Sequence, residues 1–137
     1  MGIEYHEDLF TEEFKDFRGR EQDLFMWFTV FGRCSKCLRL IIEPGALDRA
    51  QKIFACQIAQ QAGVDLIKTS TGMHPAGGAT VGDIRLMKET APACKIKAAG
   101  GIKTAKQAIE MLEAGAARIG TSSGVRIMEQ LKAGQLQ

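Results

Sequence analysis

Residues 64 to 72 read VDLIKTSTG, a short apolar run that ends in a lysine and passes at once into hydroxyl residues and a glycine. Three other stretches share this plan: LRLIIE at 38 to 43, KIKAAG at 95 to 100 and ARIGTSS at 117 to 123. Each is β-rich and meets a turn, and helical periodicity fills the gaps between them. Strands separated by helices indicate parallel βα units, because a parallel connection needs a crossover of about a dozen residues or more. Four such units are visible, and the expected fold class is α/β with parallel βα repeats.

The helical stretches carry their own punctuation. Thr104 with Gln107 reads as a capping box, followed by Ala108, Met111 and Leu112 on one face and Gly115 just past the end. Thr80 with Asp83 predicts a looser cap ahead of Val81, Ile84 and Met87. Ser122 or Ser123 is expected to cap a last helix carrying Val125, Met128 and Leu131. Ile53, Phe54 and Ile58 are expected to give the remaining helix its buried face.

Outside these repeats the composition changes sharply near residue 37. Six of the seven Phe and the only Trp precede it, whereas twelve of the fifteen Gly follow it. The expected division is a leader over 1–37 and a βα domain over 38–137. Phe10, Phe14, Phe17, Leu24, Phe28 and Phe31 form an apolar stripe at helical spacing, broken or bent at Gly19. Such a stripe serves a docking helix, a membrane-surface element or, most often, a helix packed on its own core.

The whole chain has 137 residues, 45% of them hydrophobic, which suits one domain with a real core. Eighteen Lys and Arg against sixteen Asp and Glu leave a charge of +2, too small a balance to argue for nucleic acid or an anionic membrane as partner. The strongly apolar stretch LFMWFTVF at 24 to 31 is far short of the roughly 20 residues that span a bilayer. Glu4, Glu7 and Asp8 stand where a secretory signal would be basic, so a cytoplasmic protein with reduced thiols is expected. Cys34 and Cys37 form a C-x-x-C pair, but Cys56, Cys94, His6 and His74 are too scattered to complete a zinc site.

In parallel α/β folds, reacting groups gather at the C-terminal ends of the strands. That places Glu43, Lys68 and Lys97 at one end. Burial and a second nearby cation both favour the neutral form of a lysine, which is a nucleophile, whereas a lone strand lysine ordinarily snorkels to solvent. The turns at Gly100-Gly101 and Gly120-Thr121-Ser122-Ser123-Gly124 precede helices, where outward backbone N–H groups and the helix dipole favour phosphate.

LRLIIEPGAL, VDLIKTSTG, GGATVGDIRLMKET, KIKAAGGIKT and RIGTSSG resemble the C-terminal portion of deoxyribose-phosphate aldolase, over residues 38 to 131. The resemblance implies a (β/α)₈ barrel that cleaves 2-deoxy-D-ribose 5-phosphate to D-glyceraldehyde 3-phosphate and acetaldehyde through a lysine Schiff base, with no metal or cofactor. By motif, Lys68 matches the Schiff-base lysine and Lys97 the second lysine that perturbs its pKa. Gly100, Gly101, Gly120, Ser122 and Ser123 match positions that hold the substrate phosphate, helped by the turn at Thr71 and Gly72.

A complete barrel takes about 250 residues. This chain is therefore expected to form a partial barrel, about the last four βα units, after an aromatic-rich helical leader. The family's acid–base aspartate, on the strand before LRLIIE, has no counterpart here. Further departures are Pro44 in place of a small polar residue, an expanded MHPAGG turn, and Lys95 on the same strand face as Lys97. Open strand edges and an uncovered inner face predict a homo-oligomer or a complementing barrel fragment as partner, either by closure of two copies face to face or by cover from the leader. Two other functions compete: a non-catalytic phosphate-binding remnant, and a thiol or metal module on Cys34 and Cys37.

Overall fold

The computed structural model describes residues 38–134. Four strands, β1 (Arg39–Ile41), β2 (Leu66–Lys68), β3 (Lys95–Ala99) and β4 (Arg118–Gly120), alternate with four α-helices, α1 (Arg49–Gln61), α2 (Val81–Thr90), α3 (Ala105–Glu113) and α4 (Gly124–Lys132). A 3₁₀ turn at Pro44–Ala46 follows β1. The strands lie in the order β1-β2-β3-β4, and every neighbouring pair is parallel. The anticipated βα repeats are thus present, although the regular strand cores are shorter than the apolar runs that contain them.

Strand alternation divides the sheet into two unlike faces. Leu40, Ile42, Ile67, Ile96 and Ala98 join one buried cluster with residues of all four helices, including Ala55, Cys56 and Ala59 of α1, Ile84 and Met87 of α2, Ala105, Ala108 and Met111 of α3, and Ile127 of α4. The helices therefore share one face. Strands added in sequence with helices on one side curl toward a barrel, whereas a doubly wound sheet places helices on both sides.

The starts of α2 and α3 follow the sequence signals, and α1 adds a cap that they did not indicate. Thr104 Oγ1 accepts the Gln107 N–H at 3.2 Å while the Gln107 side chain accepts the Thr104 N–H, completing the box at α3. Asp48 and Gln51 make an unanticipated second box at α1, with bonds of 2.8 and 2.9 Å. At α2, Thr80 Oγ1 accepts the Asp83 N–H and donates to the Asp83 carboxylate at 2.8 Å. Lys52 Nζ of α1 lies 2.7 Å from the other Asp83 oxygen, so this buried carboxylate is partnered on both sides and ties α1 to α2.

Three expected faces are corrected. On α1 the fully buried residues are the small ones, Ala55, Cys56 and Ala59, and Ile53, Phe54 and Ile58 are half-buried around them. Small side chains let the helix axis approach the sheet closely. Leu112 of α3 is exposed, with Ala108 and Met111 facing inward. On α4, Val125 is 76% exposed, Met128 54% and Leu131 40%, whereas Ile127 is buried. Two residues are about 200° apart around a helix, so Val125 and Ile127 cannot both face the sheet. Ser123 does occupy the position before α4 but makes no side-chain capping bond.

Cys56 and Cys94 are free, buried thiols. Burial pushes the Cys56 thiol up from 9.0 to about 12, with Cys94 adding to the effect. Burial also raises Cys94, opposed by nearby Lys88 and reinforced by Asp65. Folded Cys56 therefore keeps its proton where the unfolded chain loses it. Its contribution is fully present below about pH 9 and falls away as the pH rises toward about 12. Chemical denaturation from pH 8 upward is expected to show stability declining through this window, and Cys56→Ala to flatten the decline. The stripe of Phe10 to Phe31, the Cys34–Cys37 pair and the division at residue 37 lie outside the described residues.

Candidate active site

The site begins with strand register. Ile41 pairs with Lys68, Lys68 with Lys97 and Lys97 with Arg118, forming one row across four strands on the face away from the helices. Residues paired in a parallel sheet share a face, and neighbouring strands are about 4.8 Å apart. Lys68 ends β2, as its sequence position predicts. Lys97 does not end β3 but sits at its middle, and both lysines are half-buried.

What carries Lys97 to the rim is the glycine at the end of β4. A Cβ on Gly120 would stand 2.9 Å from Lys97 Cε and 3.0 Å from Ala99 Cβ, so the lysine stem runs across the space that this residue leaves empty. Gly120 pairs with Ala99, two residues beyond the lysine row, which puts the far end of Lys97 toward the C-terminal edge of the sheet. Gly120→Ala is expected to push this stem aside and lower amine reactivity at the rim several-fold, with a stability loss of about 1 kcal/mol. Lysine-specific labelling read by peptide mass spectrometry, beside a denaturation curve, checks both effects.

The turn after β2 is fixed from several directions. Thr69 is fully buried, and its hydroxyl bridges β3 by accepting the Ala99 N–H at 3.0 Å and donating to the Ala99 carbonyl at 2.9 Å. Ser70 is also fully buried, and its hydroxyl has no hydrogen-bond partner among the described residues. The Thr71 N–H donates to Glu43 Oε1, and Gly72 takes a φ of 86° that suits glycine. The MHPAGG segment then crosses the rim. A Cβ on Gly45 would meet the Ala76 carbonyl oxygen at 2.8 Å, and one on Gly78 would meet the Gly100 carbonyl oxygen at 2.1 Å. Ala79 N–H donates to that Gly100 oxygen at 3.1 Å.

The last two loops are joined by a residue whose role the sequence reading missed. Thr121 Oγ1 donates to the Ile102 carbonyl at 2.6 Å and accepts the Ser123 N–H at 2.9 Å. The Thr-x-Ser order was the available signal, since a hydroxyl two residues ahead of an amide can close such a turn. Gly100 and Gly101 adopt φ values of 94° and 75°. The structure thus draws the Gly100–Gly101 turn and the Gly120–Ser123 loop together, while the Thr71–Gly72 turn is tied to Glu43 at the end of β1.

Below the lysine row, Arg39, Leu66 and Lys95 form a second row on the same face. Five of the nine strand residues on this face, Arg39, Lys68, Lys95, Lys97 and Arg118, are therefore cationic. Ile41, Leu66 and Ala99 on the same face are buried yet stand outside the helix-side core. A pocket of about 390 Å³, lined by Gln60, Asp65, Cys94, Lys95 and Arg118 among others, opens toward the strand starts and away from the rim loops. Among the described residues no three His, Cys, Asp or Glu side chains converge as a metal site would require, and no helix is long and apolar enough to cross a membrane.

Sequential winding with one-sided helices makes the described domain a partial (β/α)₈ barrel. Comparison with known proteins identifies its kind. The model of the DeoC/LacD family aldolases matches residues 34–130, and the chain belongs to that family. It is 47% identical over 116 residues to the deoxyribose-phosphate aldolase of Thermococcus kodakarensis, covering 84% of this chain and 51% of that protein. To the same enzyme of Thermococcus gammatolerans it is 56% identical over 93 residues, covering 67% and 41%. Among solved structures it is similar to the aldolase QR15, with a TM-score of 0.67 and 44% identity over 72% of this chain and 44% of that one. A tetrameric deoxyribose phosphate aldolase from Aeropyrum pernix gives a TM-score of 0.66 and 30% identity over 71% and 42%. The chain spans about half the length, or less, of these relatives.

Proposed function

We propose that the chain supplies the C-terminal half of a deoxyribose-phosphate aldolase acting in the cytoplasm, and that Lys68 forms the Schiff base. The observation that carries this reading is the register pairing of Lys68 with Lys97 on the face away from the helices, with the Lys97 stem led over Gly120 to the rim. A lysine attacks a carbonyl as the free amine, and the register sets this amine at the end of its strand, on the same face as the turns after β3 and β4.

Lys68 Nζ adds to the C1 carbonyl of 2-deoxy-D-ribose 5-phosphate, and loss of water leaves an iminium. A base removes the C3 hydroxyl proton. The C2–C3 bond then breaks, its electron pair moving into the iminium to give an enamine while C3 becomes the aldehyde of D-glyceraldehyde 3-phosphate. Protonation of the enamine carbon and hydrolysis release acetaldehyde and restore Lys68. In this proposal the phosphate lies against Gly100, Gly101, Gly120, Ser122 and Ser123. The absence of a Ser123 side-chain bond to the first turn of α4 leaves those amides toward an anion. Gly72 shapes the turn after Lys68. Gly72 is proposed to border the phosphate as well, whereas the Thr71 N–H beside it donates to the Glu43 carboxylate.

β1 and β4 are the edges of the described sheet, and a complement that continues both would bring the proton acceptor. Five cations on the inner face disfavour closure of two identical copies face to face and favour a complement bearing carboxylates. The exposed Val125, Met128 and Leu131 of α4 offer it an apolar contact. Borohydride trapping of acetaldehyde, followed by peptide mass spectrometry, tests the assignment: the adduct is expected on Lys68. A wild-type chain stabilised by phosphate yet trapping nothing there would favour the non-catalytic binding module instead.

A further inference from the structure

Glu43 is the one residue other than glycine with positive φ among the described residues, at φ 45° and ψ 62°. It is 3% exposed and precedes Pro44, a placement that ordinarily pushes a residue toward extended backbone. A left-handed, pre-proline, buried glutamate is three times disfavoured, and such conformations persist only where the surroundings hold them. The surroundings here are specific. Glu43 N–H donates to the Thr69 carbonyl at 2.8 Å, extending the β1–β2 ladder one residue past Lys68. Its own carbonyl accepts the Ala46 N–H at 2.9 Å, closing the 3₁₀ turn. The left-handed kink between these bonds turns the side chain to the turn after β2, where its carboxylate accepts the Thr71 N–H.

We infer that Glu43 is a positioning residue for Lys68: its buried carboxylate clamps the Thr71 amide and so fixes the turn that follows the lysine. The inference rests on the Schiff-base reading above. From Lys68 to Thr71 there are three residues. The first two, Thr69 and Ser70, are fully buried, and Thr69 is bonded to both the N–H and the carbonyl of Ala99. Thr71 is exposed, and beyond it the chain turns through Gly72. Without the carboxylate, the anchoring of this segment stops at Ser70, and the strand end carrying the lysine gains freedom at the point where the amine must meet a carbonyl. The carboxylate acts through the backbone and not on the substrate, so a neutral amide oxygen in its place should serve nearly as well.

The test compares wild type, Glu43→Gln and Glu43→Gly. Gln keeps an acceptor oxygen, whereas Gly removes the acceptor and at the same time suits the left-handed backbone. Three quantities are read: exchange of the Thr71 amide, borohydride trapping of acetaldehyde at Lys68 relative to exposed Lys106, and the thermal midpoint. Glu43→Gln is expected to stay within about threefold of wild type in exchange and trapping, because the acceptor survives. Glu43→Gly is expected to speed Thr71 exchange and slow Lys68 trapping by about tenfold or more, with Lys106 unchanged and the midpoint no lower than that of Glu43→Gln. A Glu43→Gly protein that loses thermal stability but keeps the wild-type ratio of Lys68 to Lys106 labelling would overturn the inference. So would unaltered Thr71 exchange. If wild-type Lys68 is not labelled preferentially, the aldolase reading fails on its own, and the Thr71 amide still decides whether the clamp exists.

Discussion

On the proposed aldolase function, replacing Lys68 with alanine is expected to remove the borohydride-trapped acetaldehyde adduct and, in the presence of the complement, to lower retro-aldol turnover at least about a thousandfold, the scale on which loss of a covalent nucleophile acts. A substitute would have to be another amine, since the proposed reaction needs an iminium as electron sink. Lys97 is the nearest candidate in register, but its stem lies over Gly120 and directs it toward β4. Lys68→Arg separates the two attributes of the side chain. The guanidinium is a cation of similar length in the row of Ile41, Lys97 and Arg118 and supplies no nucleophilic amine. It should therefore be as inactive as alanine while keeping any affinity for phosphate. Turnover in Lys68→Ala equal to that of wild type would reject the assignment outright.

The second large effect is steric. Gly78→Ala is expected to destabilise the domain by roughly 3 kcal/mol or more, above the usual range for an added methyl group. The added carbon would lie 2.1 Å from the Gly100 carbonyl oxygen, 2.3 Å from its carbon and 2.9 Å from its Cα. All three are backbone atoms, so no side-chain rotation relieves the clash, and the loops after β2 and β3 must separate. The Ala79 to Gly100 bond is lost with them. Two neighbouring glycines serve as controls. Gly77 has a φ of 100° and no atom within 4 Å, so its alanine variant bears only backbone strain, about 1 kcal/mol. Gly82 lies in the first turn of α2, its nearest atom 4.0 Å away, and alanine there should stabilise the helix by about 0.5–1 kcal/mol. Urea denaturation of the three variants should rank them in that order, and equal values for Gly78 and Gly77 would refute the steric account.

Much of this architecture was legible because its signals are local. The apolar run before Lys68 and the Thr104–Gln107 cap depend on residues a few positions apart, and the structure contains both. Register is not local. Nothing in KIKAAG reveals that Lys97, at mid-strand, would be carried to the rim by a gap at Gly120, twenty-three residues later. The face of α4 is not local either: among the described residues the helix buries Ile127 alone, so its apolar stripe does not report its orientation. Glu43 was seen only as a charged group at a strand end. Its left-handed backbone is imposed by the ladder and the turn on either side, neither of which a residue type discloses.

The MHPAGG segment, read as an enlarged turn, meets the corner after β1 at Gly45 and the corner after β3 at Gly100, although it follows β2. Between Ala76 and Gly78 the main chain has a single residue, Gly77, in which to cross from one contact to the other. Such a span behaves as a tie rod and cannot work as a hinged flap. Any lengthening of the span would slacken three strand ends together.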